Sequence, residues 1–120
     1  MLRIESARWD RSLTLSVVDS EHFVAEIRGS DIFAHLNVYS WHPEQSVIEY
    51  FESISKQILP WDLARVWEST EGEFRISSVC SSLGYVCFSV PLIHRKENAS
   101  WEVTADVLAE LGQIANMISR

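Results

Sequence analysis

Apolar and polar residues alternate along the first third of the chain, in four short runs separated by turn-forming residues. Alternation with a period of two is typical of strands that bury one face and expose the other. Turns are indicated at Asp10-Arg11, at residues 19–21 and at Gly29-Ser30, the last a favourable type II′ hairpin pair. The pattern predicts four antiparallel strands over residues 2–39.

Each of these turns aligns two neighbouring strands, and the three alignments agree on one buried face. The first turn sets Ile4 opposite Val17, and the second sets Val17 opposite Phe23. The third turn sets Phe23 opposite Leu36. A slip of one residue would move the whole apolar set of a strand to the other face, so this agreement supports the predicted sheet.

The opposite face of the predicted sheet is rich in aromatic and histidine side chains. The same alignments set Glu26 opposite Phe33 and Val24 opposite His35. A sheet face that meets only water more usually carries Thr, Lys, Glu and Arg. We therefore predict a binding patch for another protein or for a copy of this chain, formed by Val24, Phe33, His35, Tyr39 and His22.

Three other interpretations of this face stay open. It is a solvated surface with a few stray apolar groups, or the C-terminal helix covers it as ordinary core. The third is a weak surface metal site at His22 and His35, with Glu26 nearby.

The stretch Pro43 to Leu59 is predicted to be the one long helix. Its apolar residues recur at the i, i+4, i+7 and i+11 spacing of one helix face: Val47, Phe51, Ile54 and Ile58. Pro43 suits the first helical position, and Pro60 prevents the helix from continuing. We expect this apolar face to pack on the sheet.

Four more strands are predicted after the helix. Their hairpin registers set Trp67 opposite Ile76 and Cys80 opposite Val86. After a polar loop at residues 95–100, a last strand is expected to begin at Trp101. The registers place Trp67 and Trp101 on the inner side of the sheet, so we expect both rings in the core.

The final segment admits two interpretations. Trp101, Val103 and Thr104 favour a strand, followed by a short closing helix over residues 111–119. A single helix that begins at Val103 also fits the spacing of the apolar residues.

These elements predict an α+β fold in one domain, residues 1–120. Its sheet is an antiparallel, strongly bent meander of about eight strands. One long helix (43–59) lies on the concave face, and a short helix ends the chain.

The charge of the chain restricts its partners. Seventeen acidic and ten basic residues give a net charge of −7, which argues against binding to nucleic acid or to anionic membranes. No apolar run reaches the roughly 18 residues that span a bilayer, and MLRIESARWD has no apolar signal-peptide region. We expect a cytoplasmic protein with a protein partner or self-association, no nucleic acid and no membrane.

No sequence motif indicates a catalytic site, a cofactor or a metal. The histidines form no HxH or HExxH pattern, and no GxSxG or GxGxxG motif is present. Cys80 and Cys87 fall on opposite faces of one hairpin, so we expect two free thiols. We therefore assign no catalytic residue, no cofactor and no metal ligand.

Aromatic and glycine residues recur in an order that resembles a known family. The order is Phe51 in an apolar helix, Trp61, Trp67-Glu68-Ser69, Gly84-Tyr85-Val86, Trp101-x-Val103 and Glu110-Leu111-Gly112-Gln113-Ile114. It resembles an uncharacterised family of small bacterial proteins, a domain of unknown function. The resemblance implies a bacterial, cytoplasmic origin and carries over no catalytic residue.

The expected function is a non-enzymatic protein-binding module. Immunity-type and regulatory roles are suggested by fold-level analogy with other small acidic α+β proteins. The alternative is a small-ligand binder or enzyme that uses a cavity between sheet and helix.

Overall fold

The chain folds into strand hairpins on either side of one helix. The computed structural model describes residues 1–96 and 99–118. The elements are β1 (Leu2–Glu5), β2 (Arg11–Asp19), β3 (His22–Gly29), β4 (Phe33–Tyr39), α1 (Pro43–Ser55), β5 (Trp61–Glu68), β6 (Arg75–Cys80), β7 (Tyr85–His94), β8 (Trp101–Glu110), a 3₁₀ turn (Leu111–Gln113) and α2 (Ile114–Met117).

The eight strands form two antiparallel sheets of four strands each, in the orders β1-β2-β3-β4 and β5-β6-β7-β8. The α+β class is confirmed, but the single bent meander sheet is wrong. Local turn signals determine which neighbouring strands pair, and α1 separates β4 from β5 along the chain. The second four strands therefore form a separate layer of the fold.

The two sheets and α1 enclose a common apolar core. The Phe23 ring of β3 lies edge-on to Phe74, with the ring centroids 5.4 Å apart. The Phe51 ring of α1 lies 5.6 Å from that of Phe88 on β7. The helix therefore packs on the inner side of the second sheet.

The predicted register of the first hairpins is partly confirmed. Val17 lies opposite Phe23 as expected, whereas Ile4 lies opposite Leu13 and not Val17. The predicted two-residue turn is wrong, because β1 ends at Glu5 and the connection to β2 occupies residues 6–10. The error is an even number of residues, so the apolar faces are unchanged.

The β3–β4 hairpin differs from its prediction in the same way. Phe23 lies opposite Val38 and not Leu36, because the connection after Gly29 runs through residues 30–32. This shift of two residues again keeps the buried face. It does change the cross-strand neighbours on the outer face.

Helix α1 begins at Pro43 as predicted and ends at Ser55 rather than Leu59. The side chains of Ile58 and Leu59 are 90% and 77% exposed, so Ile58 does not belong to the buried stripe. A residue that precedes proline disfavours helical dihedrals, and the chain must extend into β5 after Pro60. The buried placement of Val47, Phe51 and Ile54 is confirmed.

The end of the chain follows the strand interpretation, since β8 runs through residues 101–110. The predicted helix over 111–119 is shorter, a 3₁₀ turn and then α2, and position 119 lies outside the described residues. Ile118 forms an isolated bridge with Leu2. Because α2 packs on α1 and β1, it does not cover the outer face of the first sheet.

The hairpins of the second sheet agree with the prediction. Trp67 lies opposite Ile76, and Cys80 lies opposite Val86. Cys80 is buried and Cys87 is half-buried on the other face, and both are free thiols.

Candidate functional site

The five residues of the predicted binding patch lie on the outer face of β3 and β4, and we call this surface the aromatic face. Its members are His22, Val24, Phe33, His35 and Tyr39. Their cross-strand neighbours are two residues away from the predicted ones. His35 lies opposite Glu26, and Phe33 lies opposite Arg28.

Phe33, His35 and Arg28 form one end of the aromatic face. The Phe33 and His35 rings meet edge-on with their centroids 5.8 Å apart. The Arg28 guanidinium lies 4.7 Å from the centroid of the Phe33 ring, and its Nε bonds a Glu26 carboxylate oxygen at 2.8 Å. Phe33 is nevertheless 58% exposed, so this ring presents a large apolar surface to water.

His22 and Tyr39 form the other end. Their rings meet edge-on at 5.7 Å, and His22 Nδ1 lies 2.9 Å from an Asp19 carboxylate oxygen. Hydrogen bonds from the Glu21 backbone and from His22 lower the pKa of Asp19. His22 therefore already has a carboxylate partner.

The separation of these two ends excludes the shared metal site at His22 and His35. His22 lies opposite Tyr39 on β4. Tyr39 is four residues from His35 along that strand, so the Cα atoms of Tyr39 and His35 are about 13 Å apart. Among residues 1–96 and 99–118, no group of three or more His, Cys, Asp or Glu side chains is arranged to hold a metal ion.

No residue within 1–96 and 99–118 forms a backbone hydrogen bond with the outer edge of β4. At the two ends of the β3–β4 hairpin, the Gly29 N–H donates to Ile32 and the Ser40 N–H donates to Glu21, both at 2.8 Å. In an antiparallel pair, alternate residues direct their N–H and C=O groups towards the same neighbour. The groups that point away from β3 therefore belong to Phe33, His35 and Asn37.

The same alternation applies to β8, one of the two edge strands of the second sheet. The Leu111 N–H donates to the Gly84 carbonyl at 2.9 Å, so the even-numbered residues of β8 direct their backbone groups away from β7. Leu108 accepts a 2.7 Å bond from the Ala7 N–H, and its own N–H donates to the Ser6 hydroxyl at 3.0 Å. The connection between β1 and β2 thus covers one half of the β8 edge.

A cleft lies between the uncovered parts of β4 and β8, and we call it the edge cleft. It has a volume of about 580 Å³ and is lined by residues 33–37 on one side and by His94, Trp101 and Val103 on the other. The His94 and Trp101 rings stack with centroids 5.5 Å apart and planes at 17°. Within residues 1–96 and 99–118, no Asp, Glu, Lys or Arg side chain lines the cleft.

A smaller cavity of about 380 Å³ continues from Asn37 and His94 towards charged residues. Its lining includes Glu73, Arg95 and Lys96. The Glu73 carboxylate accepts a 2.9 Å hydrogen bond from Ser69. In the described part of the chain, no acidic side chain forms an ion pair with Arg95 or Lys96.

Tyr50 is the most strongly perturbed titratable group among those described, but it is fully bonded inside the core. Its hydroxyl lies 2.9 Å from both the Arg65 carbonyl and the Ser78 hydroxyl. Burial raises the pKa of Tyr50 to about 12, against a lowering effect of Ser78 and Arg65. A neutral, buried and bonded phenol of this kind has a structural role.

Sequence reasoning identified the aromatic face and missed the edge cleft. Trp101 was expected in the core, and it is half-buried against His94 instead. The polar loop at 95–100 is a signal for a hairpin that pairs Trp101 with His94, as observed. No local signal places this pair next to Phe33, because the two sheets meet only in the folded chain.

The sequence over residues 5–120 matches the family of unknown function DUF6228. The chain belongs to the DUF6228 family. This match confirms the resemblance drawn from the tryptophan and glycine positions. A search of the curated proteins and of the solved structures finds no match to this DUF6228 chain.

No helix within residues 1–96 and 99–118 of the DUF6228 chain is long and apolar enough to cross a bilayer.

Proposed function

We propose that the DUF6228 chain is a non-enzymatic protein-binding module whose contact surface is the aromatic face. The observation that carries the proposal is the 58% exposure of Phe33, which lies between Arg28 and His35 on β4, an edge strand of the first sheet. Aromatic residues and arginine are enriched among the residues that dominate protein interfaces. Exposed apolar and aromatic patches on a protein surface are common at interaction sites, which supports the proposal.

The specific role follows the earlier expectation of an immunity-type or regulatory partner-binder in the cytoplasm. Two free thiols support a reducing compartment. The net charge of −7 favours a partner with a neutral or basic surface.

A small-ligand or enzymatic function in a cavity between sheet and helix has less support. The four cavities described, of about 380 to 730 Å³, take none of their lining residues from α1. They lie along strand edges and loops.

The variant Phe33→Glu tests the proposal, with Val18→Glu as a matched control. Val18 and Phe33 are both 58% exposed, and both variants add one negative charge. We expect Phe33→Glu to lose the partner captured from an extract of the native host, while its melting temperature is unchanged. Val18→Glu should keep both properties.

Two outcomes would count against the binding proposal. Equal capture by the wild type and both variants would place the contact surface elsewhere. A large drop in the melting temperature of Phe33→Glu alone would mean that Phe33 stabilises the fold and does not serve as a contact.

A further inference from the structure

We propose that the edge cleft receives an added β-strand. Its occupant is a single extended, uncharged and mainly apolar segment of a partner protein, which pairs with the free edge of β4. This inference rests on the proposed function and specifies how the partner is bound. In such strand addition, main-chain hydrogen bonds supply affinity and alternate side chains supply specificity.

The backbone of β4 offers the hydrogen-bonding groups that an added strand requires. Phe33, His35 and Asn37 direct their N–H and C=O groups away from β3, by the alternation fixed at the two hairpin ends. The register of β4 with β3 continues without a break from residue 33 to residue 39. The edge is therefore regular enough to pair with another strand.

Natural edge strands usually carry features that prevent such pairing: charged side chains, proline, bulges or a covering segment. β5 has a bulge between Trp61 and Arg65 and carries charged residues along its length. β1 has only four residues, with Arg3 and Glu5 among them. β8 is half covered by the Ala7 connection.

In the described part of the chain, β4 shows none of these features. Its sequence FAHLNVY contains no Asp, Glu, Lys, Arg or Pro, and no bulge interrupts it. Of the four edges of the two sheets, β4 is thus the one on which strand addition is least hindered. An edge strand without such features, beside a cleft, is suited to pair with a strand of another protein.

The walls of the cleft determine the size of the occupant. Residues 33–37 form one side, and the stacked His94 and Trp101 rings stand on the other. The space between these two sides has a volume of about 580 Å³. A second copy of the chain would bring a whole sheet against Trp101, and its charge of −7 would add repulsion.

The chemistry of the walls determines the composition of the occupant. Among the residues that the structure describes, no Asp, Glu, Lys or Arg side chain lines the cleft itself, so a charged side chain placed there would meet no opposite charge from them. Phe33, Trp101 and Val103 offer apolar surface. The complementary segment is therefore neutral and carries apolar or aromatic side chains at alternate positions.

The first test uses short peptides selected on the intact protein from a displayed library of random sequences. We expect the selected peptides to be apolar. N-methylation of alternate peptide residues should abolish binding, whereas N-methylation of the residues between them should not. This period of two reports backbone pairing. Sensitivity with a helical period, or no sensitivity, would overturn strand addition.

Amide hydrogen exchange of the wild-type protein locates the bound peptide. At saturating peptide, the amides of Phe33, His35 and Asn37 should exchange at least about tenfold more slowly. The amides of Ala34 and Leu36, which already bond to β3, should change little. The proposal is overturned if no selected peptide slows exchange of the Phe33, His35 and Asn37 amides. It is also overturned if a higher protein concentration alone slows their exchange, because a second copy of the chain would then be the occupant.

The variant His35→Pro, with His35→Ala as its control, separates this inference from the proposed function. Proline removes the free N–H of residue 35 and leaves the β3 ladder intact, because that N–H points away from β3. We expect His35→Pro to weaken peptide binding at least about tenfold more than His35→Ala. If both bind the partner equally while Phe33→Glu does not, the aromatic face binds through side chains and strand addition is wrong. If Phe33→Glu also binds normally, the proposed function itself fails.

Discussion

Tyr50 is a residue whose environment has a measurable dependence on pH. Its phenol is 9% exposed and is bonded to Arg65 and Ser78 in the core. Because burial disfavours the charged phenolate, the pKa of Tyr50 rises to about 12 in the folded chain, against about 10 when unfolded. The unfolded state then releases its proton at a lower pH than the folded state.

We therefore predict that stability is unaffected by Tyr50 below about pH 10 and falls as the pH rises from about 10 to about 12. The expected loss is about 2–3 kcal/mol by pH 12. Urea unfolding across this range measures it, with Tyr50→Phe as the control. Tyr50→Phe removes the titrating group, so an equal alkaline loss in both proteins would contradict the prediction.

Cys87 is a second residue at which a neighbouring charge matters. Burial raises the pKa of its thiol, and the nearby Asp106 carboxylate raises it further. We predict that Asp106→Asn lowers this pKa and speeds the alkylation of Cys87 by iodoacetamide at a fixed pH near 8. Cys80, whose pKa is raised by burial alone, is the internal control. Unchanged alkylation of Cys87 would show that Asp106 does not affect the thiol.

At the scale of the element, the prediction of α1 was correct for the residues that both fit the helical spacing and pack against the core. Val47, Phe51 and Ile54 are buried, whereas Ile58 fits the same period and lies in water. Periodicity identifies a compatible face but not the point at which the chain leaves the helix. Pro60 prevents the helix from continuing to residue 60. Because β5 begins at Trp61, the chain leaves the helix several residues earlier, after Ser55.

We predict that Phe51→Ala costs about 3–5 kcal/mol of unfolding free energy, the range for a large aromatic truncation in a core. Ile58→Ala should cost less than about 0.5 kcal/mol, because its side chain is 90% exposed. Denaturant melts of the two variants measure the difference. Similar midpoints would contradict the burial of Phe51 in the core and the exposure of Ile58 to water.

The strand registers show why the faces were predictable and the neighbours were not. Both incorrect hairpins were misaligned by an even number of residues, so the apolar positions kept to the same face, although Val17 at the end of β2 is only half-buried. The face on which a side chain lies changes only when the register shifts by an odd number of residues. Its cross-strand neighbour changes with any shift. Thus Phe33 was placed on the correct face, but opposite Glu26 instead of Arg28.

At the scale of the whole molecule, the sequence predicted the local hairpins but not the division into two sheets. No turn signal reports which strand edges meet across α1. The edge cleft depends on that division, since Phe33 and Trp101 belong to different sheets and lie far apart in the chain. Such contacts follow from the packing of the common core rather than from any local pattern.

The two sheets are also joined by hydrogen bonds to the Leu108 backbone, outside the core. The Ala7 N–H donates to the Leu108 carbonyl at 2.7 Å, and the Ser6 hydroxyl accepts from the Leu108 N–H. This connection satisfies backbone groups of β8 that would otherwise be available to another chain. It therefore protects an edge while it holds the first sheet to the second.

We predict that Ala7→Pro destabilises the fold by about 1–3 kcal/mol and promotes self-association, because proline removes the N–H and exposes the β8 edge. Ala7→Ser keeps that N–H and serves as the control. Sedimentation at increasing protein concentration measures the association, and urea unfolding measures the stability. A variant that lost stability but stayed monomeric would show that the connection holds the sheets together without guarding the edge. A variant with neither change would show that the bond to Leu108 does not constrain the two sheets, whose common core would then suffice to hold them together.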